Sequence, residues 1–129
     1  MEKKSQSAME FLVFSGVIIF FLTVFFVAIQ QSNSRALQDE KRMQVEHVAF
    51  IVQDEINLAS ESTNGYQRTF QIPATIIGLE YQATIVENSI FIKTTDGKYA
   101  IALPLLNVSG QIMKGNNTIK KINNSVFLN

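Results

Sequence analysis

The hydrophobic pattern of the chain changes character twice. From Phe11 to Ile29 there is no periodicity at all. Fifteen of these 19 residues are Phe, Leu, Ile or Val, the exceptions are Ser15, Gly16, Thr23 and Ala28, and no charge falls between Glu10 and Arg35. As a helix the run spans about 28 Å, close to the ~30 Å hydrocarbon core of a bilayer. At roughly −0.4 kcal/mol per large apolar residue, insertion is favoured by about 6 kcal/mol before the small and polar residues are counted. Next, Val45, Val48, Ala49, Val52, Ile56 and Ala59 recur at spacings of three and four, which predicts a helix with one apolar stripe. Glu40, Arg42, Glu46, His47, Asp54 and Glu61 fall on its other side, with Arg42 and Glu46 spaced for an i,i+4 pair.

No Pro precedes Pro73, and Gly16 is the only Gly before Gly65. One helix is therefore expected from about Gln6 to Ser62, about 85 Å long at ~1.5 Å per residue. The polar stretch Gln30–Ser34 lies between its two halves, as either a local unwinding or the crossing of the headgroups. Ser62-Thr63-Asn64-Gly65 is a helix stop.

Beyond it the period falls to two. Phe70 and Ile72 alternate before Pro73, and Leu79, Tyr81, Ala83 and Ile85 alternate with Glu80, Gln82 and Thr84. Glu87-Asn88-Ser89 predicts a turn into Ile90 and Ile92. Asp96-Gly97 predicts a two-residue hairpin loop before Tyr99, Ile101 and Leu103. Gln111–Met113 and Thr118–Ile122, joined by a Gly115-Asn116-Asn117 turn, are shorter candidates, and Val126–Leu128 is placed at an edge. The expected fold is α+β: a long N-terminal helix, transmembrane in its first half and amphipathic in its second, packed on a small antiparallel sheet.

The junction before the apolar run carries the most specific pattern. It reads Lys3-Lys4-Ser5-Gln6-Ser7-Ala8-Met9-Glu10-Phe11-Leu12. An ordinary secretory signal fits poorly, because its apolar core would be about 7–15 residues and a small-residue cleavage site would follow. The order of basic leader, small residue, Gln, one acid and apolar run resembles the class III signal peptide of archaeal type IV pilins and archaellins. The family differs in usually placing Gly or Ala where this chain has Ser5.

The resemblance covers residues 3–30 and implies a cut between Ser5 and Gln6 by a prepilin-type peptidase. Glu10 then becomes the fifth residue of the mature chain, an acid characteristic of these subunits. Glu10 either sits among the lipid headgroups or pairs with the α-amine that the cut creates on Gln6, in its own or a neighbouring subunit. Phe11, Leu12, Phe14, Gly16, Phe20, Phe21, Phe25 and Phe26 would pack in a filament core, where Gly16 beside Ser15 permits close helix approach. The implied layout is a leader at 1–5, a core helix at 6–30, an amphipathic continuation at 31–62 and a β domain at 63–129. The implied partners are further copies of the chain, the peptidase, a membrane platform protein, an assembly ATPase and, before assembly, the bilayer. Lys3 and Lys4 place the N-terminus inside. The alternatives are a minor or pseudopilin-like subunit of a related machine, and an uncleaved single-pass anchor displaying a small binding domain.

Composition narrows the function classes further. The 129 residues contain 11 basic and 11 acidic side chains, no Cys and one His. The neutral balance gives no nucleic-acid footprint, and the absence of Cys removes thiolate chemistry and disulfides. His47 has Met43 and Ile51 one turn away, so no metal site is expected there. No nucleophile–base pair, phosphate loop or facing carboxylate pair is present; the chain reads as a structural protein without catalytic residues or cofactor. Three N-x-S/T sequons, at Asn107, Asn116 and Asn123, are candidate N-glycosylation sites near expected turns, consistent with an exported C-terminus.

Overall fold

The computed structural model describes the backbone from Glu2 and the side chains from Lys3 to Asn129; Met1, the first residue of the expected leader, lies outside the described residues. The elements are α1 (Glu2–Glu61), β1 (Gln67–Ile72), β2 (Tyr81–Val86), β3 (Ser89–Thr94), β4 (Ala100–Pro104), β5 (Val108–Gly110), β6 (Gly115–Ile122) and β7 (Ser125–Leu128). Contacts divide the chain between Asp39 and Glu40. The first unit is helix alone. The second joins helix residues 40–61 to all seven strands and is called the head below.

The expected long helix forms and ends where the stop signal predicts, at Glu61. It begins earlier than expected and includes the leader residues from Glu2. No Gly or Pro interrupts residues 2–15, so nothing stops the helix at the junction. Gln30–Ser34 stays helical as well, which removes the unwinding alternative.

In the head, Val45, Val48, Ala49, Val52, Ile56 and Ala59 are all buried, as their spacing predicts. They form one core with Phe70, Ile72, Ile119, Val126 and Leu128 from one sheet and Tyr81, Ile90 and Ile92 from another. The helix thus covers β-structure with its apolar stripe, as expected for the α+β class. The strands divide into two sheets. One is an antiparallel meander, β2-β3-β4; the other has the order β1-β6-β7-β5, antiparallel except for β5 with β7.

Local chemistry explains the turns. Glu87 and Asn88 have positive φ and form a two-residue loop between Val86 and Ser89, and Asn123 and Asn124 do the same between Ile122 and Ser125. Such loops need two left-handed residues, which Asn tolerates better than most. The β3–β4 loop is longer than Asp96-Gly97 predicts. Thr94 still receives a hydrogen bond on its carbonyl from Gly97 and gives its amide to Tyr99, leaving four residues between them. Asp96 Oδ1 fixes that loop by accepting from Thr94 Oγ1 at 2.6 Å and from the Lys98 amide at 3.1 Å. Both bonds hold its carboxyl below the usual range, the Thr94 bond contributing most.

Three expectations near the C-terminus fail. Gly115-Asn116-Asn117 is the start of β6, not a turn, because Asn117 is buried and meets its own polar needs locally. Its Oδ1 accepts from the Met113 amide, and its Nδ2 donates to the Met113 and Gly115 carbonyls. Gln111–Met113 is consequently coil, and the third strand of the region is Val108–Gly110. Val126–Leu128 is interior to its sheet, between β6 and β5.

Among the described residues, three side-chain links fasten the helix to the strands. Gln53 Nε2 donates to the Pro104 carbonyl at 2.6 Å, and Arg68 Nη2 lies 3.4 Å from Glu55 Oε1. The last turn of α1 has no basic residue of its own. Buried Lys121 of β6 supplies one, donating from Nζ to the Ser60 carbonyl at 2.5 Å and the Ser62 carbonyl at 2.8 Å. A cation there satisfies carbonyls that the helix end leaves open and faces the negative end of the macrodipole.

Candidate assembly surface on the N-terminal helix

Between Lys3 and Glu40 every side chain is exposed except Ser15, which is half-buried. Within its own unit the apolar run therefore has no cover. Phe11 is 74% exposed, Phe20 63% and Phe26 61%. At about 100° per residue, Phe20 points opposite Phe11 while Phe14, Phe21 and Phe25 fill one flank and Phe26 the other. The exposed apolar surface encircles the helix. A helix apolar all round needs a dry environment on all sides, and this one is long and apolar enough to cross a membrane.

Details within the run suit such an environment. Thr23 Oγ1 donates to the Ile19 carbonyl at 2.8 Å, so its hydroxyl needs no outside partner. Phe20 and Phe21 meet edge to face, with ring centroids 5.9 Å apart. A Cβ placed on Gly16 would touch nothing within 4 Å. The chain's own packing thus gives no reason for glycine there; a closely approaching neighbour would. A groove of about 550 Å³ runs past Ile18, Phe21, Leu22, Val24, Phe25 and Ala28.

The residues of the expected cleavage region lie on the first turns. Lys3, Lys4, Ser5, Gln6 and Glu10 are all helical and exposed. Gln6 and Glu10 stand one turn apart on the same face. Glu10 lies eight residues inside the described start of α1, beyond the first turn where the helix dipole acts strongly. In the uncut chain its carboxylate therefore gains little from the dipole.

Other candidate positions belong to the head. His47 is exposed, and Arg42 Nε meets Glu46 Oε1 at 3.1 Å, the expected pair. Asn107 is exposed in the bend before β5, and Asn123 is exposed in the β6–β7 loop. Asn116 is exposed too, but it pairs with Gln71 inside the sheet instead of lying in a turn. Tyr81 is buried beneath Lys114, whose Nζ lies 4.9 Å from the ring centre and 2.5 Å from Glu80 Oε2. The Tyr81 hydroxyl donates to the Pro73 carbonyl. Burial, aided by the neighbouring Glu80 charge, pushes its pKa up to about 12. Sequence reasoning missed the roles of Lys121 and Asn117, because their partners are backbone carbonyls and amides that no side-chain motif announces.

Comparisons of the chain with protein-family models, with curated proteins and with solved structures return no match.

Proposed function

We propose that this chain is the structural subunit of a type IV pilus-like surface filament. It is made as a membrane-held precursor, cut between Ser5 and Gln6 by a prepilin-type peptidase, and polymerised through its N-terminal helix. The observation that carries the reading is the apolar surface encircling Phe11–Ile29, joined through one continuous helix to a folded head. Such a helix is equally at home in lipid and among other copies of itself. Subunits can thus pass from bilayer to filament without exposing it to water. The heads, carrying Asn107, Asn116 and Asn123, coat the outside. The platform protein and the assembly ATPase would be supplied by other chains.

Cleavage changes the electrostatics of Glu10. It removes the helix preceding Gln6, creates an α-amine one turn from the carboxylate, and brings the positive helix end close to it. The pairing then favours docking of a processed subunit over an unprocessed one. Glu10→Gln should leave membrane insertion intact and sharply reduce the yield of filaments sheared from cells. Unchanged yield would count against a role for the carboxylate in assembly.

One observation favours a second reading. The Ser5–Gln6 bond lies inside regular helix, and a peptidase must unwind it first. A chain that is never cut would be a single-pass anchor displaying the head.

A further inference from the structure

The head divides its charge by element. Its seven strands contain four charged residues, Arg68, Lys93, Lys120 and Lys121, and all are basic. The helix segment 40–61 carries five acids and two bases, with Glu55 committed to Arg68 and Glu46 to Arg42. On that segment the buried stripe has an opposite. Met43, Phe50 and Leu58 remain 60, 47 and 43% exposed, and Asp54 and Glu61 stand between and beyond them on the same side. The outward helix face is therefore apolar and acidic.

The outer face of the β2-β3-β4 sheet has the complementary character. Phe91 is its centre, flanked across the strands by Thr84 and Ala102. Lys93 is the only charge on the three strands. A depression of about 480 Å³ is lined by Gln82, Thr84, Phe91, Lys93, Ala100 and Ala102. It has room for an aromatic side chain, with an ammonium at its rim.

We infer that the outward helix face of one head, centred on Phe50 and Asp54, docks on the outer face of the three-stranded sheet of a second copy, with Phe50 in the depression over Phe91 and Asp54 against Lys93. Helix-to-helix pairing through the same face would set acid against acid. The other sheet also carries an outward lysine, Lys120, but the depression is what selects β2-β3-β4. The two patches lie on opposite sides of the shared core, so one neighbour cannot fill both, and the contact is heterologous and propagates from copy to copy instead of closing as a twofold dimer. Mutual desolvation of Phe50, Leu58 and Phe91 supplies the attraction, and the charges set the register. The inference deepens the filament reading and rests on it for the supply of neighbouring copies.

The chain has no Cys, so introduced thiols report one contact each. Full-length Asp54→Cys and Lys93→Cys chains are co-expressed in the producing cells, oxidised mildly, and compared with each chain alone. The co-expressed pair should give on the order of tenfold or more disulfide-linked dimer, since a held pair has an effective concentration near ~1 mM. Asp54→Lys or Lys93→Asp alone should reduce filament yield, and the two reversals together should restore it. The proposal is overturned if the pair links no better than the single-thiol chains, if Asp54→Cys links instead to Lys120→Cys, or if the double reversal fails to restore yield. Leader removal, measured on the same samples, separates the failures. A processed chain in filaments without the 54–93 link removes this contact only. An uncut, solitary chain removes the filament reading with it.

Discussion

Replacing Lys121 with Met tests how the head is held to its helix. Lys121 is 7% exposed and donates two charge-assisted hydrogen bonds to the Ser60 and Ser62 carbonyls. Each such bond contributes about 1.5–3 kcal/mol, and a cation at a helix C-terminus adds about 0.3–2. Against this stands the desolvation of the ammonium, which costs several kcal/mol. Met keeps the stem packing and removes both the charge and its desolvation, but leaves two carbonyls without their donor. Both serines are half-buried, so water reaches them only in part. The net loss is then about 2 kcal/mol, a drop of about 10 °C in the Tm of a head this size. The readout is near-UV circular dichroism of the full chain in detergent on heating. All three tyrosines, Tyr66, Tyr81 and Tyr99, lie in the head and there is no Trp, so the tyrosine band reports the head alone. Lys120→Met, at an exposed neighbour, is the control and should change stability by less than about 0.5 kcal/mol. If the two variants melt together, the cap contributes nothing and the reasoning fails.

Further predictions concern the strands. Gly110→Ala would place a Cβ 2.0 Å from the Leu128 carbonyl oxygen at a φ of +116°. It should detach β5 from β7 at a cost of about 2–4 kcal/mol, seen as faster hydrogen exchange at residues 108–110 and 126–128; unchanged exchange would rule out the parallel pairing. The Tyr81 phenol has a folded pKa of about 12, above its ordinary value near ~10. Because burial penalises the phenolate, this group leaves folded stability unchanged below pH ~10 and lowers it as pH rises toward ~12, by about 3 kcal/mol at most. Tyr81→Phe should lower stability at neutral pH by about 1 kcal/mol and flatten that alkaline loss, and a Tm–pH profile parallel to wild type would refute the assignment.

How far the sequence foretold the fold depends on the range of the interactions. The helix stripe from Val45 to Ala59 was legible because i, i+3 and i+4 spacing is local, and all six residues are buried. The β2–β3 hairpin was legible for the same reason, from alternation on either side of a short polar turn. The β5–β7 pairing was not, because a parallel neighbour brought in from a different segment leaves no periodicity. Asn117 misled in the opposite direction. Between Gly115 and Thr118 an asparagine pair reads as a turn, yet one amide folded back on Met113 and Gly115 makes it a buried strand residue. The exposed apolar run was the most legible part, since it needs no tertiary partner to be recognised.

On the proposed reading, the exposed helix becomes an assembly surface through the Ser5–Gln6 cut, one turn before Glu10. The direct test is the intact mass and N-terminal sequence of the chain recovered from sheared surface filaments. The expected product is a chain that starts at Gln6, with Met1–Ser5 gone. Filament material still carrying Lys3 and Lys4, or a chain found only as an unsheared membrane protein, contradicts it.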